Sequence, residues 1–308
     1  MIVVFGSINL DLVTRVERLP SPGETLLGRG FASYPGGKGA NQALAAARAG
    51  GVVHLCGAVG RDAAADSALA LVRNGPVDLS GVRIVDLPTG CATILVDDAG
   101  ENTIVVVPGA NDRVDASTVP DAVLGQDAIL LLQHEVPASA NATLIARAMR
   151  TGMRIVLNAA PARPLTLELL ALIDTLIINE SEAHALASAL GWPPEAAAFA
   201  ATAAAANDGL EVVVTQGAAG AVSVLGDDEI RVAAPQISVV DTTGAGDAFI
   251  GAYAAALDAG DDRPMALRFA VAAGSLACTS AGAQPALPLR SAIDALLPSV
   301  TSRLSRRC

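Results

Sequence analysis

Aromatic side chains are scarce in this 308-residue chain: one Trp, two Tyr and five Phe, 3% of the sequence, leave little material for the aromatic walls of a nucleoside pocket. Cysteines number four (Cys56, Cys91, Cys278 and Cys308) and are widely scattered with no CxxC spacing. Neither a zinc site nor a disulfide framework is indicated, and the thiols are expected to be reduced packing residues. Positive charge is also short: 20 Lys and Arg face 31 Asp and Glu, a net charge of -11, with a pI near 4.7. Binding along a nucleic-acid backbone needs a basic face and is not expected. A small anion would have to be held by local devices such as backbone amides, helix N-termini and metal ions. Long apolar runs are missing as well. The most hydrophobic stretch, AAAFAATAAAA at 196–206, falls well short of the ~20 residues that cross a bilayer and reads as a helix. The opening MIVVFGSINLDL enters a strand-like run without a basic leader, so no membrane partner and a cytoplasmic location are expected. GxxxxGK[ST] is absent, and no GxGxxG follows the first strand, which disfavours a P-loop nucleotidase and a dinucleotide oxidoreductase.

Against this background, short β-branched runs alternate with alanine-rich helical stretches. Strands are predicted at 2–5, 52–58, 128–132, 154–157, 175–178, 211–215 and 221–225, with helices beginning near Gly39, Asp62, Ala138, Leu165, Ser181 and Pro194 and a last helical block from Gly246. The alternation predicts an α/β fold, a doubly wound and mostly parallel sheet flanked by helices. Two segments break the rhythm. Residues 11–34 and 89–107 contain strand-like runs and no helix, the second as two strands around DDAG. They are expected to form a small β-sheet lid over a catalytic body made of 1–10, 35–88 and 108–308, excluding water from transfer chemistry. An edge extension of the main sheet, or a dimer contact, is the alternative. The closing SRLSRRC is expected to be frayed.

VVDTTGAGDAFIGAYAAAL, at 239–257, is the strongest chemical signal. Gly244 and Gly246 make a tight turn, and a helix from about Ala245 aims free N–H groups at it, forming an anion site. Asp247 falls in the first turn, where the helix dipole favours its carboxylate by ~0.3–1 kcal/mol. A carboxylate beside an anion site makes sense where both meet through a reacting hydroxyl: Asp247 accepts the proton, while the amides of Gly244, Ala245 and Gly246 neutralise a transferring phosphoryl group. Simple helix capping by Thr243 is the plainer reading. A second glycine turn, GGKGAN at 36–41, opens an alanine helix and offers one cation, Lys38, and one amide, Asn41. Asn9 and Asp11 follow the first strand, on the edge where open α/β sheets bind ligands, and could read polyol hydroxyls or merely form a turn. Glu135 follows the strand at 128–132; its neighbour His134 reads as packing. In NESE, Asn179 and Glu182 have capping-box spacing.

The ordered pair GGKGANQALAAARAG and DTTGAGDAF resembles the two signatures of the PfkB carbohydrate kinases, with details of the intervening chain closest to the family's ribose-phosphorylating branch. The resemblance runs from GSINLD to GAQPALP and implies a cytoplasmic homodimer, joined through the lid, that uses ATP to phosphorylate the primary hydroxyl of a free sugar. It implies sugar contacts at Asn9, Asp11, Gly37, Lys38, Asn41, Glu135 and Asp247, and nucleotide contacts at Asn179, Thr215, Gly217, Gly220 and Gly246. Mg²⁺ would be held through water by Glu182, and K⁺ near Asp241, Thr243, Ala277, Ser280 and Gly282. Ala218 and Ala219 stand where relatives carry polar residues, and Ala65 where they often have glycine. Deoxyribose, fructose or nucleoside phosphorylation, and a non-catalytic sugar-binding regulator, are the alternatives.

Overall fold

The computed structural model describes residues 1–307. From the N-terminus the strands are β1 (Ile2–Phe5), β2 (Asn9–Arg15), β3 (Gly30–Gly36), β4 (Val53–Val59), β5 (Val77–Ile84), β6 (Gly90–Val96) and β7 (Asn102–Val107). The remainder are β8 (Ile129–Gln133), β9 (Arg154–Asn158), β10 (Thr175–Asn179), β11 (Glu211–Thr215), β12 (Ala221–Leu225), β13 (Asp228–Val232) and β14 (Ser302–Arg306). Ten of them make the main sheet in the order β14-β13-β12-β11-β10-β9-β8-β1-β4-β5. Pairing is parallel from β5 across to β11 and antiparallel from β11 to β14.

The central strands are buried on both faces, as IVVF in β1 and ILLLQ in β8 are throughout. Continuous apolar runs suit a parallel sheet covered by helices on each side, and two separate hydrophobic clusters occupy those sides. Each fully buried Ile, Leu or Phe contributes roughly 1.5–3 kcal/mol. The helix expected near Leu165 is a single turn, Leu167–Leu170. β5 escapes the apolar patterning because VDLSGVRI alternates polar residues and carries a mid-strand glycine. The SRLSRRC tail corrects an expectation. Ser302–Arg306 is an ordered edge strand paired with β13, Leu304 opposite Ile230 and Arg306 opposite Asp228. Its alternating charges read as a loose end, yet such charges are how exposed edge strands avoid further pairing. Cys308 lies outside the described residues.

The order in which strands are added reverses between the parallel neighbours β1 and β8: β1 continues outward to β4 and β5, while β8 starts the series on its other side. Carboxyl ends of strands at such a switch open a crevice. A second sheet, ordered β3-β2-β6-β7, is drawn from the two segments lacking helices, with Asn9 opposite both Gly36 and Gly90.

Alanine and glycine decide one helix contact that matters for the site. A Cβ on Gly251 would lie 2.6 Å from both the Ala45 Cβ and the Gln42 carbonyl oxygen, so the helices Lys38–Arg48 and Ala245–Asp258 approach more closely than larger residues would allow.

Candidate active site

Gly244 precedes the 245–258 helix in the left-handed region, at φ 77°. A Cβ there would be strained and would meet the Ala283 backbone at 2.8 Å. The turn presents N–H groups in an unexpected combination. The Ala245 amide donates to the Thr242 carbonyl at 3.2 Å, so it is already engaged. Among the described residues, no acceptor meets the N–H groups of Gly244, Gly246 and Asp247. Asp247 is buried, its two oxygens accepting from Asn41 Nδ2 at 2.8 Å and Gln42 Nε2 at 2.9 Å. The close packing of the two helices makes this meeting possible.

Two cavities meet at this turn. One, of about 210 Å³, is lined by Lys38, Asn179, Glu182, Gly244 and Asp247 among others. Its larger neighbour, of about 370 Å³, brings together Thr215, Gly217, Gly220, Phe249 and Val271 and has no charged side chain in its lining. Thr215 and Gly246 belong to both. The apolar face from Val271 to Cys278 suits a flat heterocycle,.

Toward the second sheet lies a cluster of charge. Asp11 is pushed up to about 7, first by burial and then by the neighbouring Glu135 and Asp247 carboxylates, with Lys38 opposing. Burial pulls the Lys38 ammonium down, but Asp247, Glu135, Glu182 and Asp11 outweigh it and hold it above its ordinary value. Glu135 accepts from Ser7 Oγ at 2.5 Å and from the Lys38 amide at 3.1 Å, which ties the glycine turn to the end of β8. His134 is buried against the Pro161 carbonyl, a packing position.

The glycines of GGKG are required first by the chain itself. Gly37 has φ 86°, and a Cβ on Gly39 would lie 2.5 Å from the Gly6 carbonyl carbon. On Gly36 it would strike the Asp11 carboxylate at 2.2 Å. Asn179 and Glu182 form a reciprocal capping box, at 2.8 and 2.9 Å, and also line the cavity, so the structural and functional readings coexist. Burial raises the Glu182 carboxyl, against the Asn179 N–H and Lys38. Asp241 accepts from the Thr243 amide at 2.9 Å and from the Gly282 amide at 2.8 Å, joining two loops, with Ala277 buried at the end of the 263–277 helix and Ser280 exposed.

Sequence reasoning missed a set of buried amides. Asn111 donates to Asn9 Oδ1 at 2.7 Å and accepts from the Ile8 amide at 2.9 Å. Gln42, Gln133 and Asn158 run from the central strands to Asp247. Gln42 adjoins Asn41 in the motif, a hint available from spacing; the others gave none.

A buried carboxylate beside unengaged helix amides, with a polar cluster on one side and an uncharged cleft on the other, suits a phosphotransferase acting on an alcohol. The sequence pattern of the pfkB carbohydrate kinase family matches residues 1–290, and the chain belongs to that family. It is 36% identical over 305 residues to the ribokinase of Lactococcus lactis, covering 98% of each chain. Among solved structures, the ribokinase of Thermotoga maritima superposes with a TM-score of 0.88 at 32% identity, covering 96% of this chain and 99% of that one. Arabidopsis thaliana ribokinase, solved in complex with ribose and ATP, gives 0.87 at 35% identity, covering 96% and 98%.

Proposed function

We propose that the protein transfers the γ-phosphoryl group of ATP to the primary hydroxyl of D-ribose, giving ribose 5-phosphate. The observation that carries this is Asp247, a buried carboxylate in the first turn of a helix where the N–H groups of Gly244, Gly246 and Asp247 have no acceptor among the described residues. In this reading the ribose hydroxyl gives its proton to Asp247 as its oxygen attacks the γ-phosphorus in line, and the bond to the β-phosphate breaks. The N–H groups of Gly244, Gly246 and Asp247 meet the developing charge. Ala245 joins them only by releasing the Thr242 carbonyl.

Asn9, Asp11, Gly37, Lys38, Asn41 and Glu135 hold the sugar. Support comes from Asn41, whose buried Oδ1 has no partner among the described residues and can accept from a hydroxyl. ATP lies along the two cavities, its base in the uncharged one, with Asn179, Thr215, Gly217 and Gly220 beside it. No group of three acidic, His or Cys residues placed to hold a metal ion occurs among the described residues. Glu182 alone therefore suits a hydrated Mg²⁺ that takes its other ligands from phosphate and water. That ion, bound with the nucleotide, supplies charge neutralisation. K⁺ would lie near Asp241, Thr243, Ala277, Ser280 and Gly282, where the Asp241 carboxylate joins two loops, and main-chain oxygens would hold it; unchanged activity when K⁺ is replaced by a large inert cation refutes it. The β3-β2-β6-β7 sheet serves as lid, and its exposed Ile104, Val105, Val106 and Val107 meet a second copy in a homodimer; a monomeric mass in sedimentation refutes this. The proposed location is the cytoplasm.

An ATP-coupled screen over pentoses, hexoses and nucleosides tests the assignment. Ribose is expected to give the highest kcat/KM. A preference for deoxyribose, fructose or a nucleoside reassigns the substrate, and no ATP consumption with any of them leaves a non-catalytic sugar binder.

A further inference from the structure

We infer that Gln42 is a positioning residue for phosphoryl transfer, its carboxamide fixing the plane and direction of the Asp247 carboxylate; the inference rests on the role proposed for Asp247. Gln42 is fully buried and belongs to the lining of neither cavity. It sits behind the base. Its Nε2 donates to Asp247 Oδ1 at 2.9 Å and to Asn158 Oδ1 at 3.1 Å, while its Oε1 accepts from Gln133 Nε2 at 2.8 Å.

Each amide in this chain is oriented by the next. Asn158 Nδ2 donates to the Ile177 carbonyl at 3.1 Å, which turns its own oxygen toward Gln42. Flipping Gln42 would set an N–H against the Gln133 N–H and a carbonyl against the carboxylate. Groups on strands β8, β9 and β10 thus orient the Gln42 amide, whose Nε2 donates to one oxygen of Asp247, and Asn41 holds the other. The rigid central sheet gives the base a fixed geometry that a surface carboxylate lacks. Gly6 belongs to the same device: a Cβ there would lie 1.9 Å from Gln133 Oε1, so the space beside β1 is taken by the Gln133 amide.

Gln42→Met keeps roughly the volume and removes both hydrogen-bonding ends. Misplacing a reacting group by about 1 Å can cost ~10²-fold, so kcat on ribose is expected to fall ~10- to 100-fold with both KM values within about threefold. In an Asp247→Ala background the same change should alter the residual rate less than about twofold, because residues acting as a unit are not additive. Gln133→Met covers the case in which Gln42→Met does not fold. Gln133 Oε1 has no partner among the described residues, so this variant loses one bond, and kcat should drop ~3- to 10-fold at constant KM. A kcat within twofold of the parent in the folded variants overturns the inference. So does a loss that persists in full without Asp247, or a KM rise at unchanged kcat. An active parent with unaffected variants removes only the role of Gln42, whereas a parent that turns over no sugar removes the proposed function with it.

Discussion

With Asp11 holding the sugar as proposed, the affinity for sugar is expected to depend on pH near neutrality. Burial, then Glu135 and Asp247, push its carboxyl up to about 7 in the unliganded protein. A carboxylate can accept hydrogen bonds from two sugar hydroxyls, whereas the protonated acid keeps a donor where an acceptor is needed. With that pKa roughly one molecule in ten has Asp11 ionised at pH 6 and roughly nine in ten at pH 8. Apparent affinity scales with the competent fraction, so the dissociation constant for ribose should fall about tenfold between these values. Titration calorimetry in buffers of different ionisation enthalpy measures both the affinity and the proton released on binding, about half a proton at pH 7. Asp11→Asn should flatten the dependence. Because the folded-state pKa lies above the unfolded 3.8, ionised Asp11 opposes folding above about pH 7, and the opposition disappears below about pH 3.8. The same Asn variant should consequently raise Tm at pH 8 and leave it unchanged at pH 3.5. An affinity flat within twofold from pH 6 to 8 in the parent refutes the reasoning.

Asp247→Asn removes the base and turns an amide N–H toward one of the two donors that now meet the carboxylate; kcat should drop by ~10²-fold or more with modest change in sugar affinity, and retained turnover in steady-state assays would contradict the assignment. Asn111→Ala strands the buried Asn9 oxygen and the Ile8 amide, so denaturant unfolding should show a loss of about 1–3 kcal/mol and the KM for ribose should rise more than kcat falls. Gly39→Ala drives a methyl to 2.5 Å from the Gly6 carbonyl carbon; a loss of roughly 2–4 kcal/mol is expected by chemical denaturation, and a fully stable variant would show that the two segments separate easily.

Much of the framework is legible along the chain because its causes are local. Apolar β-branched runs such as IVVF and EVVVT must be buried strands, and DTTGAGDAF encodes a positive-φ turn, a helix start and an acid in four consecutive positions. Polar strands are different. β5, β13 and β14 are held by partners distant in sequence, and their alternating charges carry no local signature of pairing. The glycines of GGKG also look different in three dimensions, since the space they leave is filled by Gly6, Ser7 and Asp11 of the same chain.

By itself the sequence determined the alternating architecture, the family and the acid at the helix mouth, since periodicity, turn chemistry and short motifs act within a few residues. Only the tertiary structure decided that Gln133 and Asn158 orient Gln42 against that acid, that Asn111 orients Asn9, and that the Ala245 amide is engaged. A hydrogen bond depends on ångström distances and direction, and those are set when sheet and helices pack, through contacts that cross more than a hundred residues of chain.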